Sequence, residues 1–517
     1  MVKNRWLRWF NRGFMGMLAT VMAVSTVSSV AQNALPNLGD GTDLTPAAER
    51  KMGDRIARQL FRDPDYVDDP IVGEYVQGIW QPLLVAARER GELPPELDEA
   101  YAWEILLGRD ASVNAFALPG AYFGLHLGLV GVVSSRDELA SVLAHELSHV
   151  TQRHIARRMM KDDQQSPLLM AAMIVALLAA AKDPNSANSI QAANAAIVGG
   201  QALGIQNQLN FSRDMEREAD RVGFSISTQA GFAPQGFVTM FDKLQQASRL
   251  NDSGNFPYLR THPLSTERMA DMEARIDTTA PSSPNARHNE PETDHSMMAA
   301  RARVLSNTTV DALRNWNPEL QGKTAATLYG SALAAIKLRE FARAEKHWKT
   351  LTALLEKDAP NDAASNRLAR WLGVEIYIAR GGRDDKAQAL KLLGAPKNSQ
   401  GRVELLLWAQ AMQQSGMPLA PVSQALQTWV AEHPNDASAW QQLSNIYTEQ
   451  GRTLASIRAQ AESLVAQRDP VGAFARFKAG QEWVRNAGAN GNAGVDYVEA
   501  SIIDTRARQL EAIVRVE

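Results

Sequence analysis

Cysteine does not occur anywhere in the 517 residues. Its absence excludes a structural disulfide, a lipid-anchored cysteine and any thiolate ligand. A bound divalent ion would therefore be held by His, Asp or Glu. A basic excess is missing as well: 54 Lys and Arg stand against 57 Asp and Glu. No basic tract is present, which argues against nucleic acid as a partner. Long apolar runs are scarce. The two strongest, 13–24 and 167–181, fall short of the roughly 20 residues that a helix needs to cross a bilayer.

What is present begins with a processing signal. Lys3, Arg5, Arg8 and Arg12 precede the run 13–24, and Ser29-Val30-Ala31 fits a small-x-small cleavage site. Residues 1–31 are thus expected to be a signal peptide, which points to the bacterial periplasm. Removing those four cations with no acidic residue takes the formal charge from −3 to −7.

A chain of this length is expected to form more than one domain. Helices are predicted from Thr45-Pro46 and from Pro70 to about Arg90, each opening at proline. Strands are predicted at 102–107, 113–117 and 122–127, with a turn at Pro119-Gly120. The segment 167–181 reads as a helix buried in the protein or shielding a site. Its rival reading is a membrane anchor. Residues 188–210 read as a weakly amphipathic helix packed on it. A Pro, Ser and Asn-rich stretch marks residues 278–300 as a linker. Beyond it, 301–517 is helical. Trp440, Leu443, Tyr447 and Gly451 match half of a tetratricopeptide repeat, with weaker copies at 329–344, 371–381 and 472–479. The fold class expected is α+β: a mainly helical region 32–277 with a small sheet, then an all-α repeat region.

The chemistry concentrates in His145-Glu146-Leu147-Ser148-His149, after a capping-box signal at Ser135–Glu138. Two histidines four apart on a helix lie about 40° apart and can reach one ion. The glutamate between them can take a proton from a water that the ion activates. The structural alternative is a core helix with two hydrogen-bonded histidines. A third ligand would decide, and Glu216 and Asp220 share a face of a second helix; either could bind while the other orients a histidine. Glu218 would point to solvent and His154 would lie opposite His145, away from the ion. Gln152 and Ile155 stand where the longer metzincin pattern needs Gly and His, which rejects that class. His126 reads as structural, His288 and His295 as linker residues, and His262 in Thr261-His262-Pro263 as a loop residue able to approach the metal.

Taken in order, Asn114–Gly120, His145–His149, Glu216–Asp220 and Thr261-His262-Pro263 make residues 45–277 resemble the M48 family of zinc metallopeptidases. The resemblance implies one Zn2+ held by His145, His149 and Glu216, with Glu146 as base and Asp220 as supporting carboxylate. It also puts the segment 114–120 beside the substrate cleft and gives His262 a regulatory or transition-state role. With the signal peptide and repeat tail, it implies a periplasmic endopeptidase. Its substrates would be unfolded or misassembled outer-membrane proteins, and its partner the β-barrel assembly machinery, met through the repeats. Peripheral membrane contact is compatible with these features. The alternative from another class is a chaperone or scaffold in which the repeats act and proteolysis is secondary or latent.

Overall fold

Proline and capping side chains start the helices where the sequence places them. In the computed structural model, which describes residues 44–161, 212–250, 256–278, 292–394, 401–413, 415–489 and 495–515, helix α1 runs Pro46–Arg62. Thr45 caps it by accepting from the Ala48 N–H at 3.2 Å. Helix α2 runs Pro70–Glu89, capped by Asp69 through the Val72 N–H at 2.9 Å. The short α3 (Pro95–Ala100) leads into the sheet. The expected signal peptide and the segments 167–181 and 188–210 lie outside the described residues. Among those described, no helix is long and apolar enough to cross a membrane.

The sheet has three strands, β1 (Glu104–Gly108), β2 (Ala115–Leu118) and β3 (Tyr122–His126), in the order β1-β3-β2. β3 pairs parallel with β1, Glu104 opposite Tyr122, and antiparallel with β2, Ala115 opposite Leu125. The β2–β3 turn contains Gly120 and Ala121, both at positive φ (72° and 57°). α1 presses on this turn. A side chain on Gly53 would meet the Pro119 carbonyl oxygen at 2.1 Å, so only glycine fits there.

Helix α4 (Leu127–Val132) follows, then α5 (Arg136–Thr151), which carries the His-Glu motif and is buried from Asp137 to Thr151. Ser135 caps α5 through the Glu138 N–H at 3.2 Å, while the Glu138 carboxylate accepts from Ser134 N at 2.7 Å. The reciprocal arm of the expected box therefore reaches one residue further back. α5 ends at Gln152, and Arg153 turns the chain at φ 53° before α6 (His154–Lys161). Helix α7 (Arg213–Gln229) packs along α5, and Gly223 permits the approach: its Cβ would lie 3.0 Å from Ala144 and His145 backbone atoms. Helix α8 (Gln235–Leu250), the turn α9 (Tyr258–Thr261) and α10 (Thr266–Thr278) complete the surround.

A linker reaching to residue 300 is not what forms. Helix α11 (Thr293–Ser306) begins inside that segment, with His295 buried between the Tyr75 hydroxyl (2.5 Å) and the Val133 carbonyl (3.0 Å). Two short helices, α12 (Val310–Arg314) and α13 (Pro318–Gln321), precede five helix pairs. These are α14 (Ala325–Lys337) with α15 (Phe341–Asp358), α16 (Ala363–Arg380) with α17 (Arg383–Leu393), α18 (Arg402–Met412) with α19 (Ala420–Glu432), α20 (Ala437–Glu449) with α21 (Thr453–Ala466), and α22 (Pro470–Ala489) with α23 (Tyr497–Val514). Trp371, Tyr329, Trp440, Tyr447 and Phe477 are buried in this region. The architecture is the expected mainly helical α+β one with an all-α carboxy-terminal region.

Candidate active site

α5 brings the His145 and His149 rings one turn apart, with their Nε2 atoms 3.0 Å from each other. α7 supplies Glu216, whose oxygens lie 3.5 Å from each of those nitrogens. The turn after α9 adds His262, with Nδ1 at 3.3 Å from His145 Nε2 and 3.1 Å from Glu216. All four side chains are buried, and one ligand atom from each lies within 4.8 Å of all the others. A tetrahedral zinc site with bonds of about 2.0–2.1 Å has ligand-to-ligand edges of about 3.3 Å. Five of the six pair spacings, at 3.0–3.5 Å through one or the other Glu216 oxygen, lie near that figure.

Charge gives an independent reason for a divalent ion. Glu146, Glu216 and Asp220 are three buried carboxyls, and Arg268 is the buried guanidinium beside them. Its Nε is 2.6 Å from Asp220 and its Nη1 2.8 Å from Glu216. Two positive charges are missing, and burying that imbalance is costly. Without the ion, protons make up part of it. Burial opposes a charge on His145, but hydrogen bonds and charge from Asp220 and Glu216 prevail and push its pKa up to about 10. His149, desolvated and beside His145, is held well below the usual histidine value. Burial raises the Glu146 carboxyl, whereas Glu216 is held low because the charges and hydrogen bonds of His262 and His145 outweigh its burial.

The surroundings hold the rings in place. His145 Nδ1 lies 2.9 Å from Asp220, which Arg268 grips through two nitrogens at 2.6 and 2.8 Å. Arg268 also donates to the Pro263 carbonyl at 2.7 Å, fixing the turn behind His262. Tyr258 stacks on the His262 ring at 4.7 Å and 25°. Glu146 accepts from the Ala117 N–H of β2 at 3.0 Å, and its other oxygen, 3.4 Å from His262 Nε2, accepts no hydrogen bond.

All six residues singled out in the sequence, His145, Glu146, His149, Glu216, Asp220 and His262, converge here. Two expectations need correction. His154 stays outside the ligand group, as expected, but the break at Arg153 turns its ring to 2.9 Å from His149 Nδ1 instead of to the far side of the helix. Glu218 does not simply face solvent, since it lies 3.0 Å from both His154 and Arg157. Arg268 and Tyr258 are site residues that sequence reading missed; neither stands at a diagnostic spacing from the motif.

The profile of Peptidase family M48 matches residues 86–276. The "Putative beta-barrel assembly-enhancing protease" of Vibrio cholerae is 31% identical over 468 residues, covering 87% of this chain and 89% of that protein. The chain belongs to peptidase family M48. The "Beta-barrel assembly-enhancing protease" of Escherichia coli is 28% identical over 83% of this chain and 84% of its own length. The "Mitochondrial metalloendopeptidase OMA1" of Saccharomyces cerevisiae is 29% identical over 202 residues, 38% of this chain and 54% of that protein. This M48 chain is a metalloendopeptidase, and its buried His-Glu group suits one zinc ion.

Proposed function

We propose that the chain is a periplasmic zinc endopeptidase that removes misfolded or stalled outer-membrane β-barrel proteins and assists their assembly. In this reading residues 32–277 are the catalytic region and 301–517 a tetratricopeptide-like scaffold that meets the assembly machinery. The names of the relatives matched over most of their length support the substrate class. Helix pairs that recur close to the ~34-residue tetratricopeptide period support the scaffold.

The observation that carries the catalytic reading is the buried group of His145, His149, Glu216 and His262, with a Glu146 oxygen left without a hydrogen bond beside it. His145, His149 and Glu216 would hold zinc, which when bound supplies a Lewis acid for polarising a peptide carbonyl. Glu146 takes a proton from the attacking water and hands it to the leaving amine. Asp220 keeps the Nδ1 proton of His145 and so turns Nε2 toward the ion. Among the described residues β2 lies at the edge of the sheet, and the Ala117 N–H aimed at Glu146 marks its outer side. An extended substrate chain adds along that edge through main-chain bonds and tolerates many side chains. His262, in the same buried group, fits a gate that would compete with substrate for a bound zinc ion.

Glu146→Gln in the full chain tests the reading. Casein cleavage should fall 10²–10⁴-fold while zinc binds in a one-to-one ratio. A variant that still cleaves at the wild-type rate would remove Glu146 as the base. If the inactive variant fully restores outer-membrane integrity in cells lacking the protein, the scaffold role dominates.

A further inference from the structure

The break between α5 and α6 falls at Arg153. Arg153 sits at φ 53°, a region that non-glycine residues rarely adopt, and its guanidinium is tied to Glu49 on α1. What this kink achieves is the placement of one ring. A continuous helix would carry His154 about 140° around from His149. The kink instead puts its Nδ1 at 2.9 Å from His149 Nδ1. His154 is fully buried, and its Nε2 reaches Glu218 at 3.0 Å, where Arg157 holds the same carboxylate oxygen at 3.0 Å.

Only one proton arrangement satisfies these contacts when His149 turns a bare Nε2 toward an ion. The neutral ring then carries its hydrogen on Nδ1 and donates it to His154 Nδ1. His154, accepting at Nδ1, carries its own hydrogen on Nε2 and donates it to Glu218. We propose that His154 and Glu218 form a positioning relay for His149. The relay fixes the ring's orientation and tautomer and raises its donor strength, as Asp220 does for His145. It rests on His149 being a ligand. The two histidines of the motif would then be oriented from opposite sides, one directly by a carboxylate and the other by a carboxylate acting through an imidazole.

The test uses the full chain and zinc itself, with affinity read by competition against a chromophoric chelator and the ligand field read from the visible bands of the cobalt(II)-loaded protein. His154→Ala should weaken zinc binding 10- to 100-fold and shift the cobalt bands, both beyond what its fall in metal-free melting temperature accounts for. His154→Asn keeps an acceptor oxygen opposite His149 Nδ1 and should recover most of the affinity. Glu218→Gln, on a partly exposed side chain, should weaken binding severalfold and still fold. The relay is overturned if His154→Ala keeps the wild-type zinc affinity and cobalt spectrum. It is equally overturned if Ala and Asn at 154 lose affinity to the same extent, or if the loss tracks a fall in metal-free stability. His149→Ala separates the underlying assumption: wild-type zinc affinity in that variant removes His149 as a ligand, whatever the 154 variants do.

Discussion

Arg268 shows how much of the site depends on a residue outside the motif. The residue is 5% exposed and binds Asp220, lies against Glu216 and holds the Pro263 carbonyl, so α7 and the turn after α9 meet on one cation. Replacing it with Leu leaves two buried carboxylates without their partner, a change that costs about 3–5 kcal/mol in comparable buried pairs. Urea denaturation of the metal-free Arg268→Leu variant should show a loss of that order, and cleavage should fall with it. A loss within experimental error would mean that the guanidinium is not what balances Asp220. His262 makes a second residue-scale prediction. If its ring competes with substrate for a bound zinc ion, His262→Ala should raise casein cleavage severalfold at unchanged zinc content, whereas lower cleavage would assign it to the transition state.

Between elements, the decisive contact is α5 against α7. Those helices carry His145, His149, Glu216 and Asp220, and Gly223 sets how closely they approach. Gly223→Val should cost about 1–3 kcal/mol through overpacking. Because α7 carries Glu216, the same variant should also lose zinc affinity, measured by chelator competition. Unchanged affinity would show that the helix pair adjusts without moving its carboxylates. The hairpin β2–β3 is placed in a similar way: α1 presses Gly53 against the Pro119 carbonyl, and Ala117 is thereby kept beside Glu146. Most of these elements were legible. Thr45, Pro70 and Ser135 announce three helix starts, and Pro119-Gly120 announces the turn. The pair α18–α19 was not, because its buried Leu405, Leu406 and Trp408 do not follow the repeat spacing seen around Trp440.

At the scale of the molecule, arginines join the helical region to the region before it. Arg301, buried, binds Asp69 at the α2 cap and Glu375 in α16, at 2.7 and 2.6 Å. Arg402 joins Asp68 to Asp436, both at 2.8 Å, and Arg468 donates to Tyr122 in β3 at 2.8 Å. These pairs make the seam sensitive to acid. Although burial alone would raise them, Asp69 and Asp436 are held below the ordinary aspartate value by Arg301 and Arg402. A carboxyl lowered in the folded state contributes stability that is complete above its unfolded pKa and is lost as pH falls through the folded one. The melting temperature should therefore start to fall as pH drops below about 4. In Arg301→Met, where Asp69 and Glu375 stay buried without a cation, the start should be lower and acid should cost less. Equal pH slopes in the two proteins would remove the seam from the explanation.

The sequence alone determined what depends on spacing along one helix and on local backbone preference. The reach of His145 and His149 to a common ion, the shared face of Glu216 and Asp220, the helix starts and the α+β class are properties of that kind. Only the tertiary structure decided which groups from distant segments meet. It brought His262 into the metal-ligand group, seated Arg268 between two carboxylates, and bent the chain at Arg153 so that His154 faces His149 instead of pointing away. The reason is that helical periodicity extends only as far as the helix. Past a kink or across a loop, direction is set by packing and by the charges a buried site must balance. Neither is written in the spacing of residues.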